Sequence, residues 1–376
     1  MRLSLVALAA VLWSACEPAT ESSGFYFPPP GDSWEHRDPS AVGMEPALVT
    51  QAVDYARAHD SRNVPRDYSG HEEKFGKLLG PLPEERGGPA GLILRHGYIV
   101  AEWGDTKRVD LTFSVTKSFL STTTGLAFDR GLIESMNDPV GEYVHDGKFD
   151  SPHNAPITWE HLLHQTSEWE GNLFGKSDTA DFYHRRGREL PRQPAGTYFE
   201  YNDVRVNLAS YATLSVWRRA LPEALAELVM DPIGASDTWH WYGYRTSDVE
   251  FNGKTINSVS GGGHWGGGMW ISARDLARFG YLFSRRGNWD GKQLISTKWI
   301  DMATTPSEVN PVYGYMWWLT PDSTASPDAP AATFAARGYG SNIVWIDTKR
   351  DLVAVLRWFG GDAPEFFGPL RESVKQ

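Results

Sequence analysis

The chain has 376 residues and a formal net charge of −11, with 41% hydrophobic and 22% charged residues. This is globular composition, long enough for one large domain or two intimate subdomains. The acidic balance excludes a nucleic-acid binder, which needs a basic face. The single cysteine excludes internal disulfides, cysteine-based zinc sites and iron–sulfur clusters.

In chain order, residues 1–15 read as a secretory signal: Arg2, an apolar run from Leu3 to Trp13, then small residues before Cys16. The run is shorter than the ~20 apolar residues of a spanning helix. Trp13-Ser14-Ala15-Cys16 resembles a bacterial lipobox, which predicts a lipidated Cys16; ordinary cleavage near Ala15 is the alternative. The expected address is the bacterial periplasm, with membrane contact only through that anchor. Residues 16–33, polar and rich in proline, predict a flexible linker. The body is expected over 34–376.

Pro46 suits a first helical turn, and the spacing predicts a helix over 47–59. Residues 61–88 read as a surface excursion. Two β-rich runs around His96-Gly97 predict a hairpin over 91–105. A helix opens at Ser114 and stops at Gly131. Residues 132–260 read as a mainly helical insertion of loops and short helices: 159–165 capped by Thr158, 203–217, and 223–230. A helix over 272–287 follows, with Ser272 and Asp275 near capping-box spacing. Strands are expected at 341–347 and 351–359. Strands at both ends with helices between them predict an α+β fold, a central antiparallel sheet with flanking helices.

The chemistry-bearing stretch is Ser114-Val115-Thr116-Lys117. Helix positions three apart share a face, with Cβ atoms about 5–6 Å apart. A serine hydroxyl is a poor nucleophile until a base takes its proton. Lysine is that base only when neutral, and lowering its pKa from about 10.4 to about 7 takes roughly 4.6 kcal/mol. Burial among Phe113, Val115, Phe119 and Leu120, together with the helix dipole, pushes that way.

With 196-GTYFEYNDVRVN-207, 157-ITWEHLLHQTS-167, 231-DPIGASDTWHWYGY-244 and 261-GGGHWGGGMWISARDLARFG-280, the chain resembles the serine β-lactamase and penicillin-binding-protein superfamily. It is most like class C β-lactamase-related esterases and nylon-oligomer (6-aminohexanoate-dimer) hydrolases, from about residue 36 to about 370. The resemblance implies a β-lactamase-like fold and an acyl-enzyme on Ser114. Lys117 and Tyr201 would share the proton work, and the backbone N–H groups of Ser114 and Tyr339 would form the oxyanion hole. It implies a small ester or amide substrate, no cofactor and no metal.

Two departures qualify the resemblance. Penicillin-recognising relatives carry Lys-Thr-Gly on a strand beside the site, where this chain has Ala336-Arg337-Gly338. Their second motif is Tyr-x-Asn, where this chain has Tyr201-Asn202-Asp203. Both favour an esterase or linear-amide hydrolase over a β-lactamase or D-Ala-D-Ala peptidase. A catalytically inactive envelope binding protein is the reading from another class, and intact Ser114, Lys117 and Tyr201 argue against it. Candidate substrate contacts are Asn202, His264, Arg337, Gly338 and Trp169, with His264 either touching substrate, tuning Tyr201 or serving the fold. His161 and His164 share a helix face at metal-capable spacing, but no HExxH motif accompanies them.

Overall fold

His96 and Gly97 both take positive φ, 54° and 88°, and turn the chain back between strands Ala90–Arg95 and Tyr98–Trp103. That hairpin is the N-terminal part of the main sheet. The computed structural model describes residues 25–375 apart from 182–183, 185–190, 252 and 321–328. The expected signal, Cys16 and residues 17–24 of the expected linker lie outside the described residues.

Ala90–Arg95 pairs antiparallel with Leu352–Arg357 from the far end of the chain. The six-stranded sheet runs Trp318–Thr320, Thr333–Gly338, Asn342–Asp347, Leu352–Arg357, Ala90–Arg95, Tyr98–Trp103. Asn342–Asp347 and Leu352–Arg357 are buried at every position, because both faces of the sheet are covered. Helices Pro46–Ala58 and Ala363–Glu372 cover one face, with Phe366 against Trp103 and Phe367 against Trp345. Helix Ala273–Ser284 covers the other. Its Gly280 lets the helix approach closely, since a Cβ there would sit 2.7 Å from Val344. This is the α+β arrangement expected from strands at the two ends.

Residues 132–239 hold the expected short helices, Trp159–Leu163, Asp203–Trp217 and Leu221–Leu225, but 240–259 departs from the expectation of helices and loops. Strands His240–Phe251 and Lys254–Val259 form a hairpin, joined to Gly268–Ile271 and Asp110–Leu111 in a second, four-stranded sheet. The outward positions of that hairpin are polar or charged, so its alternation passes for a loop. Helices Thr297–Thr304 and Ala363–Glu372 were not anticipated either.

The linker expected through residue 33 also packs against the body from Phe25 onward. Tyr26 stacks on Tyr98 with centroids 4.3 Å apart. The buried Arg278 guanidinium donates to the carbonyls of Pro28, Pro29 and Gly31. A proline-rich segment offers carbonyls without matching N–H donors, and a buried arginine satisfies them.

Helix Thr116–Asp129 is buried from Thr116 through Ala127 and enters through a 3₁₀ turn, Phe113–Val115. Phe113 has φ 50°, a strained value for an aromatic residue, immediately before Ser114. The end of strand Thr333–Gly338 abuts this turn.

Candidate active site

Ser114 stands at the tip of that turn, 7% exposed. Its Oγ accepts a hydrogen bond from Lys117 Nζ at 2.8 Å. Lys117 is sealed from solvent, with a side chain 2% exposed, and its Nζ lies 4.5 Å from the Tyr201 ring centroid. Tyr201 stacks on Trp318 at 5.7 Å and meets Tyr313 edge-on. The structure therefore brings Ser114, Lys117 and Tyr201 into one cluster.

The lysine's surroundings differ from the neutral-amine expectation. Lys117 Nζ also donates to Asp203 Oδ1 at 2.5 Å, and Asp203 is wholly buried. Burial pushes the Asp203 carboxyl up, but the charges of His264 and Lys117 and the Lys117 hydrogen bond outweigh it. The net direction is below the usual carboxylate range. The site thus holds an ion pair where a lone desolvated amine was expected.

Behind Asp203 stands His264, 2% exposed, with Nδ1 3.1 Å from Asp203 Oδ2 and 3.7 Å from Asp181 Oδ2. Asp181 Oδ2 accepts from the Asp203 backbone N–H at 2.6 Å. His264 stacks on Phe75 at 4.6 Å, and its carbonyl accepts from His71 Nε2 at 2.7 Å. His264 is therefore not placed to meet a substrate; it backs Asp203. The glycine-rich stretch admits this packing: a Cβ on Gly262 would lie 2.0 Å from Asp203 Oδ2.

Donor atoms of Asp181, Asp203 and His264 all lie within 4.8 Å of one another, a spacing a metal could use. The donor set fits one poorly. Asp203 Oδ1 is taken by Lys117, Oδ2 is pressed against Gly262, and an ammonium group adjoins the trio.

Gly338 lies against Thr112 and Ser114. A Cβ there would fall 2.0 Å from Thr112 O and 3.1 Å from Ser114 N, so the strand reaches the Ser114 backbone because residue 338 has no side chain. Tyr339 is anchored beyond it: its hydroxyl donates to Asn63 O at 2.7 Å and accepts from Lys74 Nζ at 2.9 Å. At the family's lysine position stands Ala336, 1% exposed, while Arg337 is exposed on the surface.

Two expected substrate contacts turn out to be structural. Asn202 is fully buried and caps helix Asp203–Trp217, accepting from Val204 N and Arg205 N at 3.0 and 3.1 Å. That is the usual work of an asparagine before a helix. Trp169 is 2% exposed, with Nε1 donating to Lys148 O at 2.8 Å. Both belong to the support of the helix that presents Asp203. Arg205 Nη1 reaches Glu168 at 2.7 Å and Glu200 at 2.8 Å, and Arg205 Nε donates to Trp169 O. This network escaped the sequence reading, since Glu168, Glu200 and Arg205 share no motif.

His161 closes a capping box with Thr158, and His164 packs against Tyr315 at 4.7 Å. Both line a cavity of about 820 Å³ that does not include Ser114.

A sequence model of the Beta-lactamase family matches residues 77–365, and the chain belongs to that family. An uncharacterized protein of Alkalihalophilus pseudofirmus is 25% identical over 281 residues, 70% of this chain and 77% of its own. Among solved structures, a β-lactamase/D-alanine carboxypeptidase of Pseudomonas syringae aligns with TM-score 0.58 at 15% identity, covering 88% of this chain and 100% of that one. A family VIII carboxylesterase aligns with TM-score 0.57 at 17% identity, covering 88% and 98%. At these identities the structural likenesses establish the fold.

Proposed function

We propose that the protein is an exported serine hydrolase that cleaves small esters or linear amides through an acyl-enzyme on Ser114. The observation that carries this reading is the 2.8 Å contact between Ser114 Oγ and the buried Lys117 Nζ, beside Tyr201. A serine hydroxyl held against a proton-handling group is what nucleophilic catalysis requires.

Ser114 Oγ attacks the substrate carbonyl, and its proton enters the Lys117/Tyr201 group. The N–H groups of Ser114 and Tyr339 receive the oxyanion, each such donor contributing about 2.7–4 kcal/mol in other hydrolases. The same group returns the proton to the departing alkoxide or amine. Water then repeats the sequence against the acyl-enzyme.

Two features support a neutral, apolar substrate. Tyr201, Trp318 and Tyr313 form an aromatic wall at the cluster. Ala336 offers nothing to pair with the carboxylate of a β-lactam or peptide. The test is a panel of nitrophenyl esters, 6-aminohexanoate oligomers, D-peptides and a chromogenic cephalosporin, run on wild type and Ser114→Ala. Ester or linear-amide turnover that vanishes in Ser114→Ala is expected. Dominant cephalosporin or D-peptide turnover would overturn the substrate assignment.

A further inference from the structure

Lys117 Nζ bridges two oxygens, Ser114 Oγ at 2.8 Å and Asp203 Oδ1 at 2.5 Å. An ammonium held this way has no free lone pair, so it accepts the serine proton only by releasing one of its own. The carboxylate at its other side is in place to take it. We infer that Asp203 is the terminal acceptor of the Ser114 proton, reached through Lys117; this rests on the serine-hydrolase reading above.

The transfers balance. The Ser114 O–H bond breaks and an N–H bond forms on Lys117 as Oγ bonds to the carbonyl carbon, whose π pair moves to oxygen. A Lys117 N–H bond breaks and an O–H bond forms on Asp203. When the tetrahedral adduct collapses, the proton returns through Lys117 to the leaving group as its bond to carbon breaks. Lys117 is an ammonium before and after. The positive charge gained by the pair faces the oxyanion's negative charge, so no net charge enters the buried site.

The surroundings suit this role. Facing Asp203 are Lys117, His264, Asp181, Tyr244 and Tyr313, with Tyr201 against Lys117. Burial pushes the Tyr244 phenol above its ordinary value, as it does the Tyr313 phenol, so neither competes for the charge. Asp203 itself is fully buried, with Gly262 pressed on Oδ2, and acts on substrate only through Lys117.

The test is the pH dependence of kcat/KM for a nitrophenyl ester, whose good leaving group keeps its own proton demand out of the profile. In wild type the acid limb falls in the carboxylate range, below about pH 5. In Asp203→Asn the only remaining acceptor on that path is the amine of Lys117, so the limb moves up by about two pH units or more. The deficit relative to wild type is then about 100-fold or more at pH 5 and shrinks at least about tenfold by pH 9. His264→Gln leaves the limb in the carboxylate range.

A wild-type limb above pH 6 overturns the inference, and so does a deficit in folded Asp203→Asn that is uniform across pH. A shift in His264→Gln matching that in Asp203→Asn also overturns it, because the imidazole would then set the limb. If Asp203→Asn fails to fold, the wild-type limb decides alone. Loss of the hydrolase reading looks different: wild type would show no turnover that depends on Ser114.

Discussion

Lys117 Nζ and Asp203 Oδ1 lie 2.5 Å apart with their side chains 2% and 0% exposed, an ion pair wholly inside the protein. Such a pair adds little net stability, but breaking it strands a charge in a low-dielectric interior. Lys117→Met is expected to cost about 3–5 kcal/mol in denaturant unfolding. Adding Asp203→Leu removes the stranded carboxylate and recovers most of that loss without restoring activity. Additive losses in the double variant would mean that the two groups are not energetically coupled.

Gly338 carries the strand to the backbone of Ser114. Gly338→Ala drives a methyl to 2.0 Å from Thr112 O and 3.1 Å from Ser114 N, displacing backbone from the site. We expect kcat/KM to fall about 100-fold or more, the scale of a lost oxyanion donor. Gly368→Ala, where a Cβ meets nothing within 4 Å, serves as the control and leaves activity unchanged. Ester turnover measured side by side on the two variants checks this, and equal rates would contradict it.

Arg205 links three acidic residues from two segments. Its guanidinium reaches Glu168 at 2.7 Å, Glu200 at 2.8 Å and Asp178 at 3.5 Å, all with side chains at most 4% exposed. Arg205→Met leaves Glu168 and Glu200 without their arginine and Asp178 with Arg192 as its ion-pair partner, and is expected to cost about 3–5 kcal/mol. The helix start that presents Asp203 should loosen with it. Thermal unfolding and labelling of Ser114 by a fluorophosphonate are the readouts, and both should decline together. Retained stability would mean that the carboxylates find other partners.

His164 makes stability depend on pH. Burial pushes its imidazole down to about 3 from an ordinary 6.5. Between those values the unfolded chain binds a proton that the folded chain refuses. This contribution is thus fully present above about pH 6.5 and is lost as pH falls toward 3, by up to roughly 1.4 kcal/mol per pH unit. His164→Phe removes the term and should flatten the stability profile between pH 6.5 and 4. Unfolding midpoints of wild type and variant across that range provide the check, and parallel curves would contradict it.

The parts that short-range pattern controls were legible in the sequence. Ser114 and Lys117 lie one helical turn apart, so spacing alone puts them on one face. The central strands announce themselves as apolar runs because both faces are buried, and His96-Gly97 marks its own turn. Asn202 was misread even though an asparagine immediately before a helix is itself a capping signal. The polar residue inside a motif drew a ligand role that local geometry already filled. The pairing of Asp203 with Lys117 and His264 was not legible. It needs residues 117, 203 and 264 from three separate segments to meet, and it depends on Gly262 being small enough to admit a carboxylate oxygen. The hairpin at 240–259 was missed because its outer positions are as polar as a loop's.

The central claim is covalent chemistry at one hydroxyl, and intact-mass spectrometry after brief mixing with a nitrophenyl ester at low temperature tests it directly. The account predicts a transient mass increase equal to the acyl group, mapped by digestion to the peptide containing Ser114 and missing in Ser114→Ala. Ester hydrolysis that continues at the wild-type rate in Ser114→Ala, with no adduct on the wild-type chain, would contradict it.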